Sequence, residues 1–138
     1  MWAHDLAKGV EAELRVLQDL QQRYPLASKV EGDHSAFDLE VPGQFTVEVK
    51  FDPASQRTGN IVVEYYHRKV SGLHVSTADW WVFDTGERCI WLTRAAVHQC
   101  IVSEGLRPVK IQGPGDRHPK WVFLVPVDQL DRYSSEAP

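Results

Sequence analysis

Phe37-Asp38-Leu39-Glu40-Val41-Pro42-Gly43-Gln44-Phe45-Thr46-Val47-Glu48-Val49-Lys50-Phe51 is the stretch on which the fold turns. Two segments of it, 37–41 and 45–51, alternate apolar and polar residues, the period-two signature of a half-buried strand. Pro42-Gly43 between them reads as a hairpin turn. Along the second segment Phe45, Val47, Val49 and Phe51 form an apolar face, and Thr46, Glu48 and Lys50 point the other way. In the first segment Phe37, Leu39 and Val41 are apolar, so Asp38 is expected on the polar face. Folding at the turn would then bring Asp38 beside Glu48 and Lys50 on one surface.

Working outward, residues 5–23 read as an amphipathic helix, with Val10, Leu14, Leu17 and Leu20 as its apolar stripe, Asp5 as its cap and Pro25 as its stop. Ser28 to Ser35 is a polar stretch. After the hairpin a loop, Asp52 to Asn60, leads to a strand over Ile61–Tyr66, and a mixed basic connection spans His67–Val75. Trp80–Phe83 and Cys89–Leu92 make two more strands around the Thr85-Gly86-Glu87 turn. Thr93 caps a helix that runs to about Ser103 and is closed by Gly105. A Gly/Pro-rich loop, Gln112–Pro119, precedes a last strand over Trp121–Val125 and a short helix at 127–130, and residues after Tyr133 are expected to fray. This order predicts an α/β domain, a mixed β-sheet flanked by helices.

Composition sets outer limits. The chain has 138 residues, 43% hydrophobic and 25% charged, which suits a single domain over 1–138. No apolar run reaches the ~20 residues of a membrane-spanning helix, and Met1–Asp5 lacks the basic-then-apolar start of a secretory signal, so no membrane partner and a cytoplasmic location are expected. Cys89 and Cys100, the two cysteines, carry no staple or zinc-ligand spacing and read as reduced thiols. The formal net charge of −4 gives no global support for nucleic-acid binding. A site built from carboxylates is nonetheless acidic by construction, and a bound divalent cation reverses its local sign.

The charged group on the hairpin has a chemical use. Two neighbouring carboxylates repel each other, and a hard divalent cation that prefers oxygen ligands relieves the repulsion. Mg²⁺ or Mn²⁺ held there would polarise a phosphodiester and acidify a water. Lys50 would orient that water or stabilise charge on the phosphate.

Asp38, nine residues, Glu48, one residue, Lys50 resembles the signature of the PD-(D/E)XK nucleases, the restriction-endonuclease-like superfamily, with Phe37 where the nominal motif has proline. Lys8-Gly9-Val10-Glu11-Ala12-Glu13 is similar to the glycine-then-glutamate opening of archaeal Holliday-junction resolvases, with Glu13 as the helical acid. Thr58–Glu64 and Thr77–Trp81 resemble the strands that follow the lysine in small phage-type members. The resemblance implies a restriction-endonuclease-like αβββαβ core and a Mg²⁺-dependent deoxyribonuclease, selective for branched or single-stranded DNA, acting in the cytoplasm (the host's, if viral). It implies Asp38, Glu48 and the Val49 carbonyl as metal ligands, Glu13 on a metal-bound water or second metal, Lys50 on the nucleophile, and a homodimer as the working form.

Other residues carry weaker expectations. Arg57, Arg68 and Lys69 flank the site in sequence and are candidate substrate contacts, with Glu64 a candidate for the same rim. Arg107, Lys110, Arg117, His118 and Lys120 form a second basic set, either phosphate rim or solvated surface. Asp79 is read as structural, His34 as an incidental loop histidine, and Trp80, Trp81, Phe83 and Trp91 as core rather than base-stacking groups. Two further functional classes remain: a nuclease-fold module that binds DNA without cleaving it, and a carboxylate-lined protein-interaction domain.

Overall fold

The computed structural model describes residues 3–31, 37–67, 69, 70 and 77–138, with side chains described for 8–31, 37–64 and 77–138. In chain order its first elements are α1 (Ala3–Arg23), β1 (Ser28–Lys29), β2 (Leu39–Val41), β3 (Phe45–Phe51), α2 (Ser55–Thr58), β4 (Asn60–His67) and β5 (Lys69–Val70). They are followed by β6 (Trp80–Asp84), β7 (Cys89–Thr93), α3 (Arg94–Ser103), β8 (Val109–Ile111), β9 (Lys120–Pro126) and α4 (Val127–Arg132).

Alternation along β3 governs the architecture. Val47 and Val49 are buried, and Thr46, Glu48 and Lys50 remain partly exposed on the other face. β2 pairs antiparallel with β3, Leu39 opposite Val47 and Val41 opposite Phe45. The turn closes with the Gln44 N–H donating to the Val41 carbonyl at 2.9 Å, while Gly43 adopts φ +75°, which residues with a Cβ rarely adopt. β3 pairs in parallel with β6, and β6 antiparallel with β7, giving a mixed five-stranded sheet in the order β1-β2-β3-β6-β7.

One face of this sheet carries α1. Ala12, Val16 and Leu20 are buried against Leu39, Val41, Val47, Val49, Val82 and Trp91. The apolar stripe expected on α1 is therefore rotated: Val10 and Leu14 are 37% and 45% exposed, and the sheet receives the small Ala12 and Val16 instead. Small side chains let the helix axis approach the pleated surface closely. Burying a valine or leucine outright stabilises by about 1.5–3 kcal/mol each, so packing on the sheet dictates the rotation. Glu13 then flanks one side of the buried stripe and Arg15 the other.

The opposite face packs on a second sheet rather than on helices alone, which departs from the single helix-flanked sheet expected. β4 does not join the first sheet. It pairs antiparallel with β9 in a four-stranded sheet ordered β5-β4-β9-β8. Ile61, Val63, Phe123 and Val125 from this second sheet share a core with Trp81, Phe83, Ile90 and Leu92, together with Val97, Cys100 and Ile101 of α3 and Leu130 of α4. The parallel β3–β6 pair demands a long crossover, and here the crossover contains the second sheet's strands β4 and β5. The tail is also more ordered than expected, because the Ser135 N–H donates to the Trp91 carbonyl at 2.9 Å and Arg23 Nε to the Pro138 carbonyl at 2.9 Å. Among the described residues no helix is long and apolar enough to cross a membrane.

Thr93 caps α3 as expected, its hydroxyl accepting the Ala96 N–H at 3.1 Å. Trp81, Phe83 and Trp91 are buried and Trp80 partly so, which makes the aromatic cluster a core feature. Asp79 fastens the starts of β3 and β6 together: its Oδ2 accepts the Thr46 N–H at 2.9 Å, and its own N–H donates to Thr46 Oγ1 at 3.1 Å.

Candidate functional site

Asp38 sits in a bend just before β2 and is held by its backbone on both sides. Its N–H donates to the Val47 carbonyl at 2.9 Å, and its carbonyl accepts the Val30 N–H at 2.9 Å. Its Oδ2 accepts the Val49 N–H at 2.8 Å. The bend also ends the alternation. Leu39 and Val41 face α1, whereas Phe37 packs against the core on the far side of the sheet. The carboxylate of Asp38 is therefore turned onto the β3 backbone where β2 stops, rather than standing on the face that bears Glu48 and Lys50. That arrangement corrects the expectation from period two.

Glu13 approaches the same point from α1. Its side chain is 20% exposed and pairs with Lys29 Nζ at 3.4 Å. Burial pushes its carboxyl above the ordinary glutamate value, the neighbouring Asp38 pushes it further, and Lys29 offsets part of the rise. β1 brings Lys29 here by pairing it with Leu39 at the hairpin edge. Two acids and one ammonium thus meet at the open end of β2.

Glu48 and Lys50 project from the other face of β3, next to β6, with Glu48 in register with Trp81 and Lys50 with Phe83. Lys50 Nζ lies 5.7 Å from the Trp81 ring centroid, so the ammonium leans back along the strand toward the position beside Glu48. The Trp81 indole N–H is buried and has no hydrogen-bond partner. Val49 contributes backbone only, its side chain lying in the α1 core. In an antiparallel pair a residue's N–H and C=O leave the strand on the same side, so the Val49 carbonyl is presented toward the open end of β2 beside Asp38.

The donor set is all carboxylate and carbonyl oxygen, which fits a hard divalent cation. Among the described residues, no three His, Cys, Asp or Glu side chains converge into a ready-made metal cage. Glu13 and Asp38 adjoin, and Glu48 is offered from across the strand.

The expected substrate contacts disperse. Arg57 is exposed on α2. Glu64 lies on the second sheet, where its Oε1 accepts from Lys120 Nζ at 3.0 Å, and so it is tied to β9 rather than to the hairpin. His34 and Arg68 fall outside the described residues, as does the side chain of Lys69.

Two features escaped sequence reasoning. Lys29 lies on a strand of two residues, too short to show a period. Asp84, at the end of β6, is buried with 4% exposure and bound by Arg15 at 2.8 Å and by the Gly86 N–H at 2.8 Å. It forms part of a pocket of about 300 Å³ between α1 and the β6–β7 turn that Arg88, Cys89 and Trp91 also line. There burial first, then Asp84, pushes the Cys89 thiol up to about 11. Arg15 and Arg88 are already engaged, the latter by Asp131 at 2.8 Å. Comparison with known proteins gave no match to a family model, to a curated protein or to a solved structure.

Proposed function

We propose that this chain is a metal-dependent nuclease that hydrolyses DNA phosphodiester bonds on a restriction-endonuclease-like arrangement. The observation that carries the reading is the clamp of Asp38 onto the Val49 amide. It fixes an acid at the point where Glu13 arrives from α1, one residue from Glu48 and Lys50 along β3. Glu13, Asp38, Glu48 and the Val49 carbonyl are the groups that would hold Mg²⁺ or Mn²⁺, which supplies phosphate charge neutralisation and a more acidic water. Lys50 donates to a phosphoryl oxygen and stabilises the charge that builds as water adds to phosphorus and the ester P–O bond breaks. Burial and the neighbouring Asp38 raise the Glu13 carboxyl, which a cation held beside it would offset; the departing alkoxide takes its proton from water. A homodimer would present two such sites to the two strands of a duplex, and molar mass in solution tests it.

Supercoiled, linear, single-stranded and branched DNA incubated with Mg²⁺, Mn²⁺ or EDTA test the proposal. Cleavage that needs the metal and is lost in Lys50→Ala supports it. Absence of cleavage on every substrate refutes it. The alternative is a nuclease-fold module that binds DNA without cutting it. Binding without metal-dependent cleavage would select that reading.

A further inference from the structure

The chain carries a formal net charge of −4, yet its positive charge is concentrated locally. Between Arg107 and Lys120 lie Arg107, Lys110, Arg117 and Lys120, with Asp116 as the single acid. This span is the β8–β9 hairpin with its approach and its loop. The acids nearby are engaged in structure. Asp116 Oδ2 accepts the Gly113 N–H at 2.8 Å and so shapes the loop, which is also tied by the Asp116 N–H donating to the Gly113 carbonyl at 3.1 Å and by Gln112 Nε2 donating to the Asp116 carbonyl at 3.0 Å. Glu64 is held by Lys120 at 3.0 Å. Arg107, Lys110 and Arg117 are exposed.

An aromatic group lies among these cations. Trp121 is 38% exposed and is the cross-strand partner of Lys110, whose Nζ stands 6.0 Å from its ring centroid. Positive charge on a sheet edge commonly serves to block edge-to-edge pairing, and one lysine on β8 suffices for that. It does not account for Arg117 in the loop, Arg107 before the strand, or a large indole left in water. Cations spaced along a hairpin with an accessible aromatic face are what a flexible polyanion with stackable rings requires.

We propose that the β8–β9 hairpin is a nucleic-acid-binding arm that holds a single-stranded segment. Arg107, Lys110 and Arg117 contact the sugar–phosphate backbone, and Trp121 offers a face for one unpaired base. The assignment shares with the proposed function the choice of nucleic acid as partner. It does not depend on cleavage, and its test is made in EDTA, so failure of one leaves the other standing.

Fluorescence anisotropy with a labelled 20-nucleotide single strand, the matching duplex and labelled polyglutamate separates the outcomes. For single strands each phosphate contact contributes roughly 0.7 to the slope of log affinity on log salt. Lys110→Gln/Arg117→Gln is therefore expected to weaken single-strand binding by on the order of tenfold to thirtyfold at ~0.1 M salt and to flatten the slope by about 1.4. Trp121→Ala is expected to cost the single strand about tenfold and the duplex little, because stacking needs an unpaired base. Lys8→Ala, a cation on the helix that covers the opposite face of the first sheet, serves as the remote control and should change affinity little. Lys110→Arg/Arg117→Lys should restore binding. Unchanged affinity in the glutamine pair, an equal loss in Lys8→Ala, or polyglutamate binding as tight as DNA overturns the proposal. The last result would assign the arm to acidic proteins.

Discussion

Replacing Asp38 separates its structural duty from its chemical one, because two substitutions remove different things. Asp38 Oδ2 accepts the Val49 N–H at 2.8 Å, and Val49 is buried at 8% exposure. Asp38→Ala leaves that N–H without an acceptor, which costs about 1–3 kcal/mol. Relief of the like charge facing Glu13 returns about 0.5–1 kcal/mol, the scale of a partly exposed charge contact. The net expectation is a loss of about 0–2.5 kcal/mol, centred near 1. With an unfolding entropy of ~2.1 cal/mol/K per residue, that lowers the melting midpoint by roughly 0–9 °C, centred near 4 °C. Asp38→Asn keeps an oxygen in place. It exchanges a charge-assisted bond for a neutral one at a cost of about 1 kcal/mol and gains the same relief at Glu13. Its stability should therefore lie within about 1 kcal/mol of wild type.

Cleavage behaves differently, since both variants lose the negative oxygen that would face a cation. Loss of several kcal/mol of transition-state stabilisation corresponds to a fall of at least ~100-fold. Urea melts and thermal scans of the three proteins, run beside initial rates on supercoiled DNA in Mg²⁺, give both readouts. Asparagine as destabilising as alanine would show that the carboxylate is not the acceptor for Val49. Wild-type cleavage in the asparagine variant would remove Asp38 from the proposed metal site.

Because burial and Asp38 raise the Glu13 carboxyl, the fold favours its protonated form; that contribution is full below the unfolded value, near 4.5, and is lost as pH rises through the folded one. Stability curves at pH 4 and pH 7 should accordingly show Glu13→Gln gaining on wild type at the higher pH, and a flat or inverted difference would refute the assignment. Lys50→Met gives up a cation–π contact worth about 0.5–1 kcal/mol, so it should melt within about 3 °C of wild type while losing cleavage; melting far below that range would mark Lys50 as a structural residue. Cys89, its thiol pushed up to about 11, should be roughly one part in a thousand thiolate at pH 8 and react with iodoacetamide ~100-fold more slowly than free cysteine, although the residue is exposed overall. Fast labelling at pH 8 would overturn the environment given to that thiol.

Strand β3 was readable because one of its faces is buried and burial enforces period two: the side chains at 47 and 49 had to be apolar. The hairpin turn was readable because a left-handed position beside proline selects glycine, and Gly43 occupies it. The face of α1 was not. Of the expected stripe Leu20 is buried on the sheet and Leu17 packs at its margin, but Val10 and Leu14 stay exposed and the sheet admits Ala12 and Val16 in their place; closeness of approach is a property of two surfaces together. β1 and β8, of two and three residues, carry too few positions for any period. The second sheet was hidden for a related reason: β4 looks the same whichever strand it pairs with, and its pairing to β9 is decided some sixty residues later.

The candidate site divides along the same line. Spacing in sequence brought Glu48 and Lys50 together and put Asp38 at the right end of the hairpin, but a bend at 38 breaks the alternation there and turns the carboxylate onto the β3 backbone. Glu13 and Lys29 arrive from elements whose rotation and pairing only the packed structure fixes. Their arrival matters for function. Packing needs no acid beside Asp38: an alanine or glutamine at position 13 would fit a helix flank and spare the fold a partly buried like-charge contact. Setting Glu13 there lowers stability at neutral pH, and Lys29 recovers part of it. A cation that took up position between the two carboxylates would recover the rest and displace the ammonium, so divalent ions should raise the melting midpoint of wild type and do so much less in Asp38→Asn. If Mg²⁺ and Mn²⁺ stabilise both proteins no better than equivalent ionic strength of NaCl, the acid pair is an ordinary surface contact and the metal reading fails with it.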